Sequence, residues 1–135
     1  AVQDTLHPDR LVFGVEGEHA GHAEQVLRAV YAQTIEQDQT PVVITDLPTA
    51  ELVKVAANSF LATKISFINA MSEICEVSGA DVTKLADAIG HDVRIGRKFL
   101  NAGVGFGGGC LPKDIRAFSA RAAELGAAQS VSFLI

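Results

Sequence analysis

The longest stretch of this sequence without glycine or proline covers residues 49–78, and it constrains the fold more than any other feature. About 29 helical residues at a rise of 1.5 Å make a rod of roughly 43 Å, which is longer than the core of a small domain needs. We therefore predict one long helix that bridges domains or pairs with a partner. Its apolar face is formed by residues at helical spacing, with a cysteine as a small core residue. These are Leu52, Val55, Ala56, Phe60, Ile65, Ile68, Met71 and Cys75.

Two short apolar runs of strand length precede this helix, at residues 10–15 and 41–45. The second is rich in β-branched residues, which favour strands. Between them, apolar positions over residues 19–34 repeat at helical spacing. The order strand, helix, strand predicts a parallel crossover unit. No phosphate-binding glycine turn joins the first strand to its helix, so this unit alone is not predicted to hold a dinucleotide.

Shorter elements are predicted after the long helix. Residues 81–89 indicate a second helix, and residues 91–96 indicate a connector. Residues 97–100 fit one further helical turn, and Pro112 suits the first turn of a last helix over residues 113–125. The predicted fold class is mainly α with a small α/β part. It combines the end of a Rossmann-like domain, seen as one β-α-β crossover, with a helical domain built on one long helix.

Composition limits the class of partner. A hydrophobic fraction of 48% with 20% charged residues is typical of a globular chain. The net charge of −5, without a dense Lys/Arg cluster, predicts no nucleic-acid partner and no binding to an anionic membrane surface. No apolar run approaches the roughly 20 residues that span a bilayer. The two cysteines form no disulfide framework, which favours a reducing compartment, the cytoplasm. Both ends of the sequence suggest that it is a piece of a larger protein.

Five glycines and a cysteine are crowded into residues 103–110. Glycine lets the backbone approach a ligand closely. The pattern G-x-G-x-x-G occurs here, but no strand precedes it, so we reject it as a dinucleotide fingerprint. Consecutive glycine N–H groups can form an anion-binding nest in front of a helix start. The alternative is a flexible surface loop that ends at a structural cysteine.

Several polar residues are candidates for chemistry. A helix start and the nearby Lys113 favour the reactive thiolate of Cys110, although no histidine base is close in sequence. A redox-sensing thiol is the alternative. Lys54 and Asn58 share a helix face and can donate hydrogen bonds to an oxyanion, or they belong to an ordinary solvated stripe. The histidines of residues 19–22 lack a third ligand, so no metal site is predicted.

Four ordered segments resemble the UDP-glucose 6-dehydrogenases of the UDP-glucose/GDP-mannose dehydrogenase family. They are residues 51–69, 79–81, 94–100 and 103–114, and the resemblance extends over nearly the whole chain. It implies two nucleotide-binding α/β domains joined by a central helical region, whose long helix also forms the core of a homodimer.

On this resemblance, residues 1–46 are the end of the NAD-binding domain, and residues 47–135 are the central region. The cofactor fingerprint is expected before the first residue, and a further domain that helps to enclose the UDP-sugar is expected after the last.

The resemblance implies NAD-dependent oxidation of a UDP-sugar from the C6 alcohol to the carboxylate. Cys110 matches the nucleophile of the family, Lys54 and Asn58 match residues that stabilise the oxyanion, and Asp114 matches a carboxylate in proton transfer. Lys113 matches a residue near the cofactor. The implied substrate-binding residues are Lys54, Asn58, Arg94, Phe99, Leu100, Asn101 and Gly107, and Arg94 matches a residue that reaches the partner's substrate.

Two alternatives stay open at this point. Residues 104–108 favour the UDP-glucose branch of the family over dehydrogenases of GDP-mannose or of a UDP-N-acetylhexosamine. The second alternative is that this chain alone is a dimerisation module without activity.

One residue departs from the pattern of the family. Gly109 stands where a serine is common before the family's cysteine.

Overall fold

Two short strands pair in parallel in the computed structural model, which describes residues 2–107 and 109–134. Strand β1 is Leu11–Gly14 and strand β2 is Val42–Thr45. Parallel strands need a crossover connection. Here it consists of helices α2, Ala20–Val30, and α3, Ala32–Asp38. The predicted β-α-β crossover is therefore confirmed.

The crossover differs from the prediction because it contains two helices instead of one. Tyr31 ends α2 and begins α3, with φ −97° and ψ 12°. Its ring lies 5.7 Å from the ring of the buried Phe13 on β1. This aromatic contact accompanies the break between the two helices. A short helix α1, Val2–Leu6, was also not predicted. Beside it, Nδ1 of His7 lies 2.7 Å from the Asp38 carboxylate.

The long helix α4 spans Leu47–Ser78, and its 32 residues confirm the main prediction from the sequence. The chain forms two compact units, residues 1–54 and 55–135, and α4 contributes to both. Cys75 is buried, as predicted. The predicted apolar face is only partly a core, because Leu52 is 52% exposed and Phe60 is 64% exposed.

Asp46 caps the start of α4. Its carboxylate accepts a hydrogen bond from the Thr49 backbone N–H at 2.7 Å and another from the Thr49 hydroxyl at 2.9 Å. These bonds, the backbone one first, hold the pKa of Asp46 below its ordinary value of 3.8. A carboxyl group with a depressed pKa in the folded state contributes stability above its unfolded pKa, and this is lost as the pH falls through the folded value.

We therefore expect Asp46→Ala to lower the thermal midpoint at pH 7, because the start of α4 loses its cap. The difference between wild type and variant should shrink as the pH falls below about 4 and through the lowered pKa of Asp46, because protonation then removes the charged cap from the wild-type protein. Thermal melts from pH 7 to acid would measure it. Asp9→Ala, at an exposed carboxyl group before β1, serves as the control. An unchanging gap between wild type and Asp46→Ala would contradict the capping role.

The second unit contains the other two α-helices that were predicted. Helix α5 is Val82–Gly90, and helix α6 is Leu111–Glu124, with proline in its first turn as expected. A 3-10 helix, Ala128–Leu134, follows. The core lies where α4 meets α5 and the following loop. Its buried members are Ile68, Ala86 and Leu100, with Met71, Val82 and Ile89 packed around them.

The prediction of a helical turn at residues 97–100 was wrong. Phe99 has φ 64°, in the left-handed region, so the segment is a non-helical turn. The turn delivers Leu100, which is 2% exposed, into the core beside Ile68. Burial of that side chain accounts for the departure from helical geometry. In the ranges described, none of the helices combines the length and apolar character that a membrane span requires.

Candidate active site

Cys110 lies at the amino end of α6, in the capping position. Its thiol is exposed and free, and its side chain makes no capping hydrogen bond. The Cys110 carbonyl oxygen accepts the first helical hydrogen bond, from the Asp114 N–H at 2.9 Å. The backbone of this residue therefore belongs to the helix, whereas its thiol is exposed.

Asn58 and Asp114 are joined by a hydrogen bond across the second unit. The Asn58 amide Nδ2 donates to Asp114 Oδ2 at 2.7 Å. Asp114 is only 8% exposed, and its other carboxylate oxygen lies 3.1 Å from the Lys113 ammonium. Since Asp114 is one turn after Cys110, this bond ties α4 to the helix turn that carries the thiol. The hydrogen bond and the ion pair thus bring together three of the predicted site residues, Asn58, Lys113 and Asp114.

Lys54 belongs to the first unit, as its last residue, and it is exposed. It precedes Asn58 by four positions in the chain. Its role in stabilising an oxyanion stays a prediction.

The predicted substrate residues of the 99–107 loop differ in their exposure. Phe99 is 43% exposed, whereas the Leu100 side chain is fully buried, so only the backbone of Leu100 can reach a ligand. The Asn101 side-chain oxygen accepts a hydrogen bond from Arg97 at 2.7 Å. Gly107 is exposed. Of these predicted residues, Phe99 therefore offers an aromatic side chain to a ligand, and Leu100 and Gly107 offer backbone groups.

Arg94 is held by a neighbouring carboxylate. Its Nε donates to Asp92 at 3.0 Å and its Nη2 at 2.6 Å. These bonds hold the pKa of Asp92 below its ordinary value of 3.8. The Arg94 side chain remains 85% exposed, so it projects from the unit with a defined orientation.

Three residues that organise the loop were missed by the sequence reasoning. Lys64 donates to the Ile95 carbonyl at 2.9 Å, and Asn69 accepts from the Gly103 N–H at 2.9 Å. Arg97 is the third. A usable signal existed for Lys64, because it lies one turn before the buried Ile68 and so faces the core side of α4. The partners of these residues are distant in sequence and gave no signal.

An open pocket of about 380 Å³ lies along α4 in the second unit. Its lining is mainly apolar and includes two cationic side chains, those of Lys64 and Arg94. It is lined by Phe60, Thr63, Lys64, Phe67, Ile89, Arg94, Ile95 and Leu100.

The connection between β1 and α2 does not fit the diphosphate of a dinucleotide. Glu16 and Glu18 stand in it, and both are exposed. Carboxylates in front of a helix start repel an anion that would otherwise bind there. His19 and His22 are likewise exposed, and within residues 2–107 and 109–134 no three His, Cys, Asp or Glu side chains gather as a metal site. The exposed Lys113 ammonium, beside the candidate site, is a group that does fit an anionic cofactor.

Comparison with known proteins gives a single answer. The model of the UDP-glucose/GDP-mannose dehydrogenase family, central domain, matches residues 48–134. The UDP-glucose 6-dehydrogenase of Rickettsia felis is 53% identical over 119 residues, which are 88% of this chain and 26% of that protein. UDP-glucose 6-dehydrogenase 1 of Arabidopsis thaliana is 53% identical over 116 residues, 85% of this chain and 24% of that protein. The chain thus spans about a quarter of the length of these relatives.

Solved structures agree with the sequence relatives. A UDP-glucose dehydrogenase from Pyrobaculum islandicum superposes with a TM-score of 0.86 at 39% identity, over 99% of this chain and 29% of that one. A GDP-mannose dehydrogenase from Pseudomonas aeruginosa superposes with a TM-score of 0.59 at 28% identity, over 99% of this chain and 30% of that one.

Proposed function

Because this chain belongs to the UDP-glucose/GDP-mannose dehydrogenase family, we propose that it is part of an enzyme that oxidises UDP-glucose to UDP-glucuronate with NAD. Residues 1–46 are the end of its NAD-binding domain, and residues 47–135 are its central region. The higher TM-score and identity to a UDP-glucose dehydrogenase than to a GDP-mannose dehydrogenase support the choice of sugar nucleotide.

One observation carries the proposed chemistry: the 2.7 Å hydrogen bond from Asn58 to Asp114. It joins an amide donor and a buried carboxylate one helical turn from an exposed thiol. An amide NH₂ group has two donors, so Asn58 can hold Asp114 and still donate to an oxygen at C6 of the sugar. Such an arrangement supplies a nucleophile, an oxyanion donor and a proton acceptor.

The residues of this chain then act in sequence. NAD, when bound, supplies the hydride acceptor for both oxidations. The Cys110 thiolate adds to the C6 aldehyde, an S–C bond forms, and the carbonyl electron pair moves to oxygen. Lys54 and Asn58 donate hydrogen bonds to this oxyanion. The second oxidation turns the thiohemiacetal into a thioester. Water then adds to the thioester carbon and Asp114 takes one of its protons. The C–S bond breaks to return the Cys110 thiolate, and the carboxylic acid that forms releases the second proton to solvent to give the carboxylate product.

A homodimer through α4 is part of the same proposal. Phe60, Phe67 and Ile74 are 64%, 47% and 55% exposed, and they follow one another at intervals of seven residues. That interval places them on one seam of a helix, as in helices that pair side by side. The apolar pocket beside this seam can receive side chains of a second copy. Arg94 projects from the same region and is proposed to reach the partner's substrate. The free thiols favour a reducing compartment, the cytoplasm.

The family departure at Gly109 is compatible with this function. A Cβ built on Gly109 would meet no other atom within 4 Å. Glycine is therefore not required there by packing, and the serine of relatives would fit the same space.

The direct test is turnover of nucleotide sugars by the complete polypeptide. With UDP-glucose we expect two NADH for each UDP-glucuronate, because the conversion of an alcohol to a carboxylate removes four electrons. GDP-mannose and a UDP-N-acetylhexosamine serve as comparison substrates, and light scattering on the same sample reports the dimer. Turnover of GDP-mannose without turnover of UDP-glucose would overturn the proposal. We expect no NADH from the isolated 135-residue chain. This result would agree with the alternative that the chain alone is an inactive dimerisation module.

A further inference from the structure

Arg97 binds two parts of the second unit at once. Its Nε donates to the Asp87 carboxylate on α5 at 2.5 Å. Its Nη1 donates to the Leu100 carbonyl at 3.0 Å and to the Asn101 side-chain oxygen at 2.7 Å. The guanidinium group is therefore engaged inside the chain, with its charge paired to Asp87. A planar fork of donors suits such multiple contacts, and a lysine could not reproduce them.

The segment that Arg97 holds needs such support. Phe99 has φ 64°, which is unfavourable for a residue with a bulky side chain. The two groups that Arg97 binds belong to the residues directly after Phe99 in the chain. Since Leu100 is also anchored by burial, its carbonyl and the Asn101 side chain have defined positions. Arg97 thus closes the turn around the strained residue.

The end of α5 is shaped to receive Arg97. A Cβ built on Gly90 would lie 2.9 Å from both Cα and Cδ of Arg97. Contacts this short with a backbone atom cannot be relieved by rotating a side chain. The close approach of Arg97 to the helix is therefore possible only because residue 90 has no side chain. Substitution of Gly90 by alanine therefore displaces Arg97 without changing its charge.

Two further contacts fix the ends of the loop. On one side, Lys64 on α4 donates to the Ile95 carbonyl at 2.9 Å and to the Gly96 carbonyl at 3.1 Å. On the other side, Asn69 on α4 accepts from the Gly103 N–H at 2.9 Å. The arginine lies between these anchors, and it supplies the contacts that shape the middle of the loop.

We propose that Arg97 is a positioning residue for nucleotide-sugar binding, which acts by holding residues 99–101 in the shape that receives the ligand. This inference rests on the proposed function, in which Phe99, Leu100 and Asn101 contact the UDP-sugar. Arg97 acts through this segment, because its Nε and Nη1 groups bind Asp87, Leu100 and Asn101 within the chain. Loss of Arg97 should weaken binding of the sugar nucleotide and leave the thiol chemistry intact.

The test compares steady-state kinetics of the complete enzyme and four variants, one of which is a control. For Arg97→Gln we expect the KM for UDP-glucose to rise about 10- to 100-fold, the scale of a misplaced binding group, with kcat within about threefold. Arg97→Lys should be intermediate, because it keeps the charge next to Asp87. Gly90→Ala should reproduce the rise in KM. Arg121→Gln, at an exposed pair with Glu124 2.8 Å away, is the matched control and should change nothing. The KM for NAD should stay constant in all of them.

Hydrogen exchange of the backbone amides of residues 99–103 provides a readout that needs no substrate. Faster exchange in Arg97→Gln, with an unchanged thermal midpoint, supports positioning. Unchanged exchange and unchanged KM would overturn the inference. A lowered thermal midpoint with equal losses of kcat and kcat/KM would also overturn it, as the sign of a merely structural role. Wild-type enzyme that oxidises no UDP-sugar would refute the proposed function, and the exchange data would still decide whether Arg97 shapes the loop.

Discussion

Replacement of Cys110 by serine in the complete polypeptide is expected to abolish UDP-glucuronate production without loss of the fold. A serine hydroxyl is far less acidic than a thiol, so it cannot supply the anion that captures the aldehyde. We expect the rate of complete oxidation to fall by at least about a thousandfold, the scale seen when a covalent nucleophile is removed. The thermal midpoint should be unchanged or slightly higher, because serine is a better helix cap than the cysteine, whose side chain makes no capping bond.

The other cysteine supplies the matched control. Cys75 is 5% exposed within the second unit, so Cys75→Ser places a hydroxyl group in an apolar site. This should destabilise the protein by about 1–3 kcal/mol and leave kcat unchanged. Cys110→Ser is thus expected to abolish the chemistry and keep the stability, whereas Cys75→Ser is expected to lower the stability and keep the chemistry. Production of two NADH per sugar by Cys110→Ser at the wild-type rate would remove the thiol from its proposed role.

The regular elements of this fold are those whose causes are local. The absence of glycine and proline over residues 49–78 was enough to predict α4, and Pro112 marked the start of α6. The break at Tyr31 was not predictable, because it goes with a contact to Phe13, which lies on a strand eighteen positions earlier. The turn before Leu100 was missed for the same reason, since it serves the burial of that residue against α4.

The candidate site divides in a similar way. The resemblance named Cys110, Asn58 and Asp114 by matching their positions one by one. The hydrogen bond between Asn58 and Asp114 joins residues 56 positions apart, so no local pattern could reveal it. The resemblance assigned no role to Arg97 or Asn69. Their connection to the loop is seen only in their hydrogen bonds with Asn101 and Gly103.

Asn58→Asp is expected to be the most damaging change that keeps the size of a side chain in this site. It replaces the amide donor with a carboxylate and sets two negative groups against each other where a 2.7 Å hydrogen bond stood. Asp114 is 8% exposed, so water screens this repulsion poorly. We expect a loss of about 2–4 kcal/mol in stability at pH 7, on the scale of breaking a buried polar pair. The kcat should fall about 100-fold or more, because the oxyanion loses a donor.

The same substitution at Asn69 tests whether donor loss is the cause. Asn69 uses its side-chain oxygen, which accepts the Gly103 N–H at 2.9 Å, and an aspartate keeps that acceptor. Asn69→Asp should therefore stay close to wild type in thermal midpoint and kcat. Acid should also rescue stability in Asn58→Asp, since protonation of one carboxyl of the pair restores a donor to the other. Its deficit in thermal midpoint relative to wild type should thus narrow between pH 7 and about 5. Equal damage from both substitutions, or a deficit that widens in acid, would mean that the Asn58 amide is not the donor that links α4 to the thiol-bearing turn.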